Sequence, residues 1–319
     1  MKGAGKKIFV GGNIGNPLIE YTQSSAGDEY VVAEISSFQL QWVKKFHPFI
    51  SILLNITSDH TDYHSSFAEY VKVKSRIFAN QNENDFAIVN ADDKPQQDLI
   101  KHIHARVIPF SSKRELKEGI YLEKDRIIFS MAEYGQESYP VSMIKIPGLH
   151  NVENVMAAVA AARLCGADRK KIESCVFAFH GLPHRIEFAG EKNSIKFYDD
   201  SKGTNVGAVM RALETFSQPV ILLLGGRDKE GDFETLQSII PSKTKRVILF
   251  GEAKDKIASL IGNSVEKIKM PKLIDAVEAA YKSAEPGDIV LLSPGCASFD
   301  EFRDYKERGN IFKQAVRNL

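Results

Sequence analysis

Seven consecutive residues, Asp199-Asp200-Ser201-Lys202-Gly203-Thr204-Asn205, hold two carboxylates, two hydroxyls, a lysine and an amide around one glycine. Ile195 to Tyr198 before them reads as a short strand, and Val206, Val209, Met210 and Leu213 after them have helical spacing. Such a strand-to-helix turn lies at the carboxyl end of a strand, where α/β sheets bind ligands, and the helix N-terminus favours an anion. The alternative is a solvated loop in which Asn205 is an ordinary N-cap. Two further strand ends are as polar: Tyr30 to Ala33 runs into Glu34-Ile35-Ser36-Ser37-Phe38-Gln39, and Phe49 to Leu54 runs into Asn55-Ile56-Thr57-Ser58-Asp59-His60-Thr61-Asp62. A hard cation such as Mg²⁺ takes one or two carboxylates besides water and phosphate oxygens, which suits Glu34. His60, beside Asp59, is open to a structural role or to a ligand or catalytic one.

The next helix opens on a capping-box signature, Ser66 with Glu69, and carries an apolar stripe of Phe67, Tyr70, Val71, Ile77 and Phe78. Lys74 falls on that stripe, four residues after Tyr70 and three before Ile77. A lysine so placed either snorkels its ammonium to water or is held with a lowered pKa. A desolvated amine is nucleophilic and reacts with carbon dioxide to give a carbamate. Asn151 and Asn154 stand one turn apart where an alanine-rich helix begins. Asn151 is either that helix's cap or, with Asn154, a reader of a base edge.

The elements that must hold these groups follow βα alternation. Ile8 to Val10 is a strand ending in Gly11-Gly12-Asn13-Ile14-Gly15, whose spacing fits neither the dinucleotide fingerprint nor the P-loop. Phe49 to Leu54 is a nearly continuous apolar run of the kind buried in parallel sheets. Phe86–Asn90 and Val107–Phe110 continue the alternation, and Ile120–Leu122, Ile127–Met131 and Tyr139–Ile146 read as an antiparallel flap turning at Lys124-Asp125. Gly181-Leu182-Pro183-His184-Arg185 reads as a hinge between domains 1–180 and 181–319. Beyond it, strands at Ile195–Tyr198, Val220–Leu224, Val247–Phe250 and Ile289–Leu292 alternate with helical stretches, the pattern of a doubly wound α/β sheet. Ser298 and Glu301 carry a second capping-box signature.

The chain has 319 residues, 43% hydrophobic and 26% charged, enough for about two domains with a sizeable core. A net charge of +1 leaves no footprint for nucleic acid or an acidic membrane, and no apolar run approaches spanning length. Three scattered cysteines form no metal-ligand pair and fit a reducing cytosol, so a cytoplasmic home is expected.

Six segments, Gly-Gly-Asn-Ile-Gly (11–15), Glu-Ile-Ser-Ser-Phe-Gln-Leu (34–40), Asp-His-Thr-Asp (59–62), Gly-Leu-Pro-His-Arg (181–185), Asp-Ser-Lys-Gly-Thr-Asn (200–205) and Ser-Pro-Gly-Cys-Ala-Ser-Phe-Asp (293–300), resemble the Mur ligases in the right order from about Lys6 onward. The resemblance implies a central ATPase domain followed by a Rossmann-like C-terminal domain. It further implies the reaction that adds D-glutamate to UDP-N-acetylmuramoyl-L-alanine in peptidoglycan synthesis, with ATP and Mg²⁺, through an acyl phosphate. By motif, Glu34 and His60 would be magnesium ligands and Lys74, as a carbamate, would bridge to a second metal, so that Lys74, His60 and Lys202 are the catalytic set. Asn13, Ser36, Gln39 and His60 would face the muramoyl substrate. Asn151, Asn154, Arg185 and Asp200 would hold the nucleotide, and Lys202, Thr204, Lys229, Ser298, Phe299 and Tyr305 would surround D-glutamate. A monomer is expected.

The family's P-loop, which belongs about one helix before Gly11, is missing from these 319 residues. A chain lacking the family's first third, and inactive alone, is therefore the expectation. A non-catalytic remnant or partial subunit that binds nucleotide or D-glutamate, and a folylpolyglutamate synthetase-like ligase, are the alternatives.

Overall fold

Which faces of a strand are covered decides what it becomes here. In a computed structural model, residues 2–24, 27, 30–57 and 63–319 are described. The chain divides into two units, Met1–Lys145 with His150–Phe179, and Ile146–Leu149 with His180–Leu319.

The first unit contains β1 (Ile8–Gly12), α1 (Leu18–Ser24), β2 (Tyr30–Glu34), α2 (Ser37–Leu40), β3 (Ile50–Leu53), α3 (Phe67–Ser75), β4 (Phe86–Asn90), α4 (Lys94–Leu99), β5 (Arg106–Ser111), β6 (Gly119–Glu123), β7 (Arg126–Met131), β8 (Gly135–Pro140), α5 (Leu149–Leu164) and α6 (Arg169–Ala178). Its larger sheet has the order β3-β4-β5-β6-β7-β8, parallel from β3 to β6 and antiparallel beyond. Strands β1 and β2 pair in parallel as a separate two-stranded sheet.

Two expectations are corrected in this unit. Strand β3, read as buried, is an edge strand among the described residues: Ser51 and Leu53 are covered, while Phe49 before it and Leu54 after it are 48% and 36% exposed. The third strand of the flap is Gly135–Pro140, not Tyr139–Ile146, because the chain leaves the ladder at Pro140 and Val141–Met143 forms a 3₁₀ turn. The turn at Lys124-Asp125 does join β6 to β7, with Lys124 left-handed at φ 55°.

The second unit contains β9 (Glu187–Lys192), β10 (Ile195–Asp199), α7 (Val206–Glu214), β11 (Val220–Gly225), α8 (Ile240–Lys243), β12 (Thr244–Phe250), α9 (Lys254–Leu260), β13 (Glu266–Lys269), α10 (Leu273–Ser283), β14 (Ile289–Leu292) and α11 (Tyr305–Asn318). The sheet order is β13-β12-β11-β14-β10-β9, all parallel except β9. Alternate residues feed two cores: Leu222, Leu224, Val247, Leu249 and Leu291 meet α7, α8 and α9, while Ile221, Leu223, Ile248, Val290 and Leu292 meet α10 and α11. The sheet is thus doubly wound. Neighbouring β10 and β14 send their chains to opposite faces, into α7 and α11, so a crevice opens at their carboxyl ends.

Candidate functional site

Each unit carries its own set of candidate groups. In the first, the ends of β1 and β2 bring Asn13 to Glu34: Asn13 Nδ2 donates to Glu34 Oε1 at 3.0 Å, and the Asn13 N–H donates to the Glu34 carbonyl at 2.7 Å. Both side chains are exposed. Glu34 is therefore a surface carboxylate oriented by one amide, with lone pairs left for a hydrated hard cation, and the residue fits that role. Ser36 and Gln39 meet each other. The Gln39 N–H donates to Ser36 Oγ at 3.3 Å and Gln39 Oε1 accepts from the Ser36 N–H at 2.9 Å, a complete capping box at the start of α2.

Lys74 lies half-buried on α3, its Nζ 5.1 Å from the centre of the Tyr70 ring. The cap of that helix differs in detail from the signature. Ser66 Oγ accepts from the Glu69 N–H, but the Glu69 carboxylate turns to the Ser65 N–H and Oγ, at 2.7 and 2.6 Å. His60 and its neighbours 58–62 lie outside the described residues. His64, which was not singled out, is buried against Phe38, Tyr63 and Tyr70, with Nε2 3.0 Å from Ser37 Oγ. On α5, which begins two residues before Asn151, Asn154 Nδ2 donates to Asn151 Oδ1 at 3.3 Å. The pair shares a face, and Asn151 sits within the first turn instead of capping it.

In the second unit the turn after β10 is built, not solvated. Asp199, Asp200, Ser201 and Gly203 are buried, and Asn205 nonetheless caps α7, accepting from the Ala208 N–H at 2.8 Å. Asp200 Oδ2 accepts from Ser293 Oγ at 2.7 Å. Burial pushes the Asp200 carboxyl up to about 7, against the pull of Ser293, the Ile186 N–H and the Arg185 charge. Burial also raises Asp199, although His184 Nδ1 stands 2.7 Å from its Oδ2 and the Ser201 N–H donates to Oδ1 at 2.9 Å. His184, Glu187 and Asp199 bring ligand-type atoms within 4.8 Å of one another. The Lys313 ammonium stands 2.8 Å from Glu187 and 3.9 Å from Asp199, so the cluster reads as an ion-pair network already supplied with its cation.

The loops after β10, β11 and β14 are tied to one another. Gly295 N–H donates to the Gly203 carbonyl at 2.9 Å, Gly225 N–H to the Pro294 carbonyl at 3.0 Å, and Arg227 and Ala297 exchange a pair of bonds at 2.9 Å. Lys202 Nζ lies 5.5 Å from the centre of the Tyr305 ring, so these two predicted residues meet, and Thr204 is half-buried on the same turn. On the other loops Ser298 is buried, Phe299 is 57% exposed, and Lys229 and Arg185 are exposed.

No helix follows Ser298 directly. Glu301 accepts from the Leu273 N–H, and α11 starts at Tyr305 with Asp304 as its cap, accepting from the Glu307 N–H at 2.8 Å. Within α11, Arg308 was missed altogether. It is 0% exposed and reaches back beneath both loops, and its signal lay in the spacing, three residues after Tyr305 and four before Phe312. Cys296, on the loop after β14, is buried, which pushes its thiol up to about 12.

Comparison with known proteins finds two family models along the chain. The Mur ligase middle domain matches residues 4–162, and the Mur ligase glutamate ligase domain matches residues 184–296. A protein of Syntrophus aciditrophicus named UDP-N-acetylmuramoylalanine--D-glutamate ligase is 54% identical over 317 residues, 99% of this chain and 70% of that protein. One of the same name from Geotalea daltonii is 44% identical over 318 residues, again 70% of its length. Among solved structures, a pseudomurein peptide ligase type C from Methanothermus fervidus superposes with a TM-score of 0.72 at 16% identity, over 98% of this chain and 79% of that one. The MurF ligase of Thermotoga maritima, in complex with ADP, does so with a TM-score of 0.70 at 16% identity, over 98% and 74%.

Proposed function

The chain belongs to the Mur ligase family, and on that premise we propose that it is the ATP-dependent ligase that joins D-glutamate to UDP-N-acetylmuramoyl-L-alanine in the cytoplasm, acting as a monomer. The observation that carries the reading is the match along nearly the whole chain to proteins named for that reaction. We place the boundary between a nucleotide-handling domain and an amino-acid-handling domain at about residue 180. No described helix is long and apolar enough to cross a membrane.

The reaction brings two anions together, a phosphorylated carboxylate and an amino diacid, so cations and oriented donors must offset their repulsion. ATP supplies the phosphoryl group that turns the carboxylate into an acyl phosphate, and Mg²⁺ offsets charge on the phosphates. Glu34, steadied by Asn13, is the carboxylate proposed to hold the metal, with His60 as its companion. Lys74, half-buried over Tyr70, is proposed to act as a carbamate on the second metal. Ser36 and Gln39 present the start of α2 to the muramoyl substrate. Asn151 and Asn154, already side by side, suit the adenine edge, and Arg185 and Asp200 are proposed as the other nucleotide contacts. In the second unit, Lys202 and Lys229 offer cations to the D-glutamate carboxylates, and Thr204, Ser298, Phe299 and Tyr305 shape the surroundings.

The test is phosphate release by this chain extended to the full length of the Syntrophus relative with that relative's own residues. Release that requires ATP, UDP-N-acetylmuramoyl-L-alanine and D-glutamate together is expected. Turnover with another amino acid and none with D-glutamate would reassign the substrate.

A further inference from the structure

Arg308 is the largest fully buried side chain among the described residues, at 0% exposure. Its guanidinium donates four hydrogen bonds: Nε to Ser201 Oγ at 2.9 Å, Nη2 to the Ser201 carbonyl at 2.8 Å, and Nη1 to the Cys296 and Ala297 carbonyls at 3.0 and 3.2 Å. Ser201 Oγ in turn donates to the Tyr305 carbonyl at 2.8 Å. Every acceptor is a neutral oxygen, and among the described residues no carboxylate forms an ion pair with the guanidinium. Burial pulls the Arg308 pKa down to about 10, while Asp300, Asp199 and Asp200 push it back up, so the group stays charged at neutral pH.

A buried cation that no carboxylate neutralises is expensive to keep even when it is hydrogen-bonded. Its place is explained by what it joins. Two acceptors belong to the turn after β10 and two to the turn after β14. Only a planar fork of donors reaches both, since an ammonium offers its protons from a single point. One neighbouring glycine leaves it room: a Cβ on Gly226 would fall 3.1 Å from Nη1 and 2.4 Å from the Ala297 carbonyl oxygen.

We propose that Arg308 is the positioning residue of the amino-acid end of the site, fixing the turn after β10 and the turn after β14 at one separation so that Lys202 and Thr204 on the first and Ser298 and Phe299 on the second address the same ligand. This rests on the reading of those four residues as D-glutamate contacts. The carbonyls of Cys296 and Ala297 are anchored immediately before Ser298, and the carbonyl of Ser201 immediately before Lys202. A shift of either turn therefore moves its contact residue directly.

The test reads amide exchange residue by residue on the 319-residue chain, with D-glutamate titrated as the probe. Arg308→Lys keeps the charge and loses the fork, and Arg308→Met loses both. In Arg308→Lys the amides of Ser201, Lys202, Gly203 and Ala297 lose protection together by at least about tenfold, the amides of β12 keep theirs, and D-glutamate binds about tenfold or more weakly. Unchanged protection of the two turns overturns the proposal, and so does wild-type affinity in Arg308→Lys. Loss of protection spread evenly over the second unit, with a fall in Tm, identifies Arg308 as a plain core residue and overturns it too. If the wild-type chain takes up no D-glutamate, the amino-acid reading fails on its own, and the exchange of the two turns still decides whether Arg308 holds them.

Discussion

Strand β11 (Val-Ile-Leu-Leu-Leu-Gly) and strand β2 (Tyr-Val-Val-Ala-Glu) are both short, apolar and parallel to a neighbour. Every residue of β11 is buried, whereas Val31 and Val32 of β2 are 40% and 47% exposed. The contrast is not one of composition. β11 has a strand on each edge and helices on both faces, while β2 pairs only with β1 among the described residues. Nor is it a property of the whole first unit, because β4, with β3 and β5 beside it, holds Ala87, Ile88 and Val89 at 0–1% exposure. Neighbours seal a strand, and the polar groups at its end inherit that state. Asp199 and Asp200 are buried and bonded, while Asn13 and Glu34 stand in solvent.

If neighbours set the difference, equivalent truncations must cost unequally. Leu223→Ala in β11 lowers stability by about 3–5 kcal/mol, whereas Val32→Ala in β2 costs less than about 1 kcal/mol. Urea melts of the two variants measure this, and equal costs would break the comparison.

The first unit is also where the metal-binding carboxylate and the carbamate are proposed. In the chain extended to full length, Lys74→Ala lowers D-glutamate-dependent phosphate release by about 10²–10³-fold, with partial recovery on adding a short carboxylate. Undiminished release would remove Lys74 from the site.

The sealed end should show a pH signature. An aspartate in the unfolded chain titrates near ~3.9, and burial holds Asp200 up to about 7. The fold therefore prefers its neutral form. Its contribution to stability is intact below pH ~4 and is lost as the pH rises through about 7. Asp200→Asn thus matches the wild type near pH ~4 and gains on it by a few kcal/mol at pH ~8. A difference that stays constant between those pH values would contradict the burial account.

The smallest effects are a control. Ser66→Ala on α3 and Asp304→Ala on α11 remove the same kind of cap from the two units, and each costs about 1 kcal/mol. A cap satisfies the first turn of its own helix, so its worth is blind to how the sheet is sealed. A clearly larger loss at Asp304 would tie that cap to the anchoring of Arg308.

Much of the second unit was legible because its central strands are continuous apolar runs and α7 and α10 have strong helical periodicity. The edge strands β9 (Glu-Phe-Ala-Gly-Glu-Lys) and β13 (Glu-Lys-Ile-Lys) escaped, since a strand that faces water on one edge need not look apolar. The start of α11 was misplaced because Ser298/Glu301 and Asp304/Glu307 carry similar signatures, and only tertiary contacts choose between them: Glu301 is drawn to Leu273. The rule that singled out Lys74, a cation on an apolar stripe, fits Arg308 equally well and was not applied there. At the other end of the chain, β3 was read from composition alone. A run of apolar residues says that a strand prefers cover without saying that cover is present on both sides.

The three cysteines distribute themselves along this same contrast, with consequences for thiol chemistry. Cys175 is exposed, Cys165 is half-buried with its thiol raised by burial, and Cys296 lies in the sealed loop with its thiol at about 12. Only thiolates react at a useful rate with alkylating or disulfide reagents. A maleimide dye will therefore mark Cys175 first and leave Cys296 untouched while the second unit is folded. A covalent inhibitor aimed at the cysteine of the Ser-Pro-Gly-Cys-Ala-Ser segment would meet a buried thiol that stays protonated at neutral pH, on a loop whose carbonyls are already committed to a guanidinium.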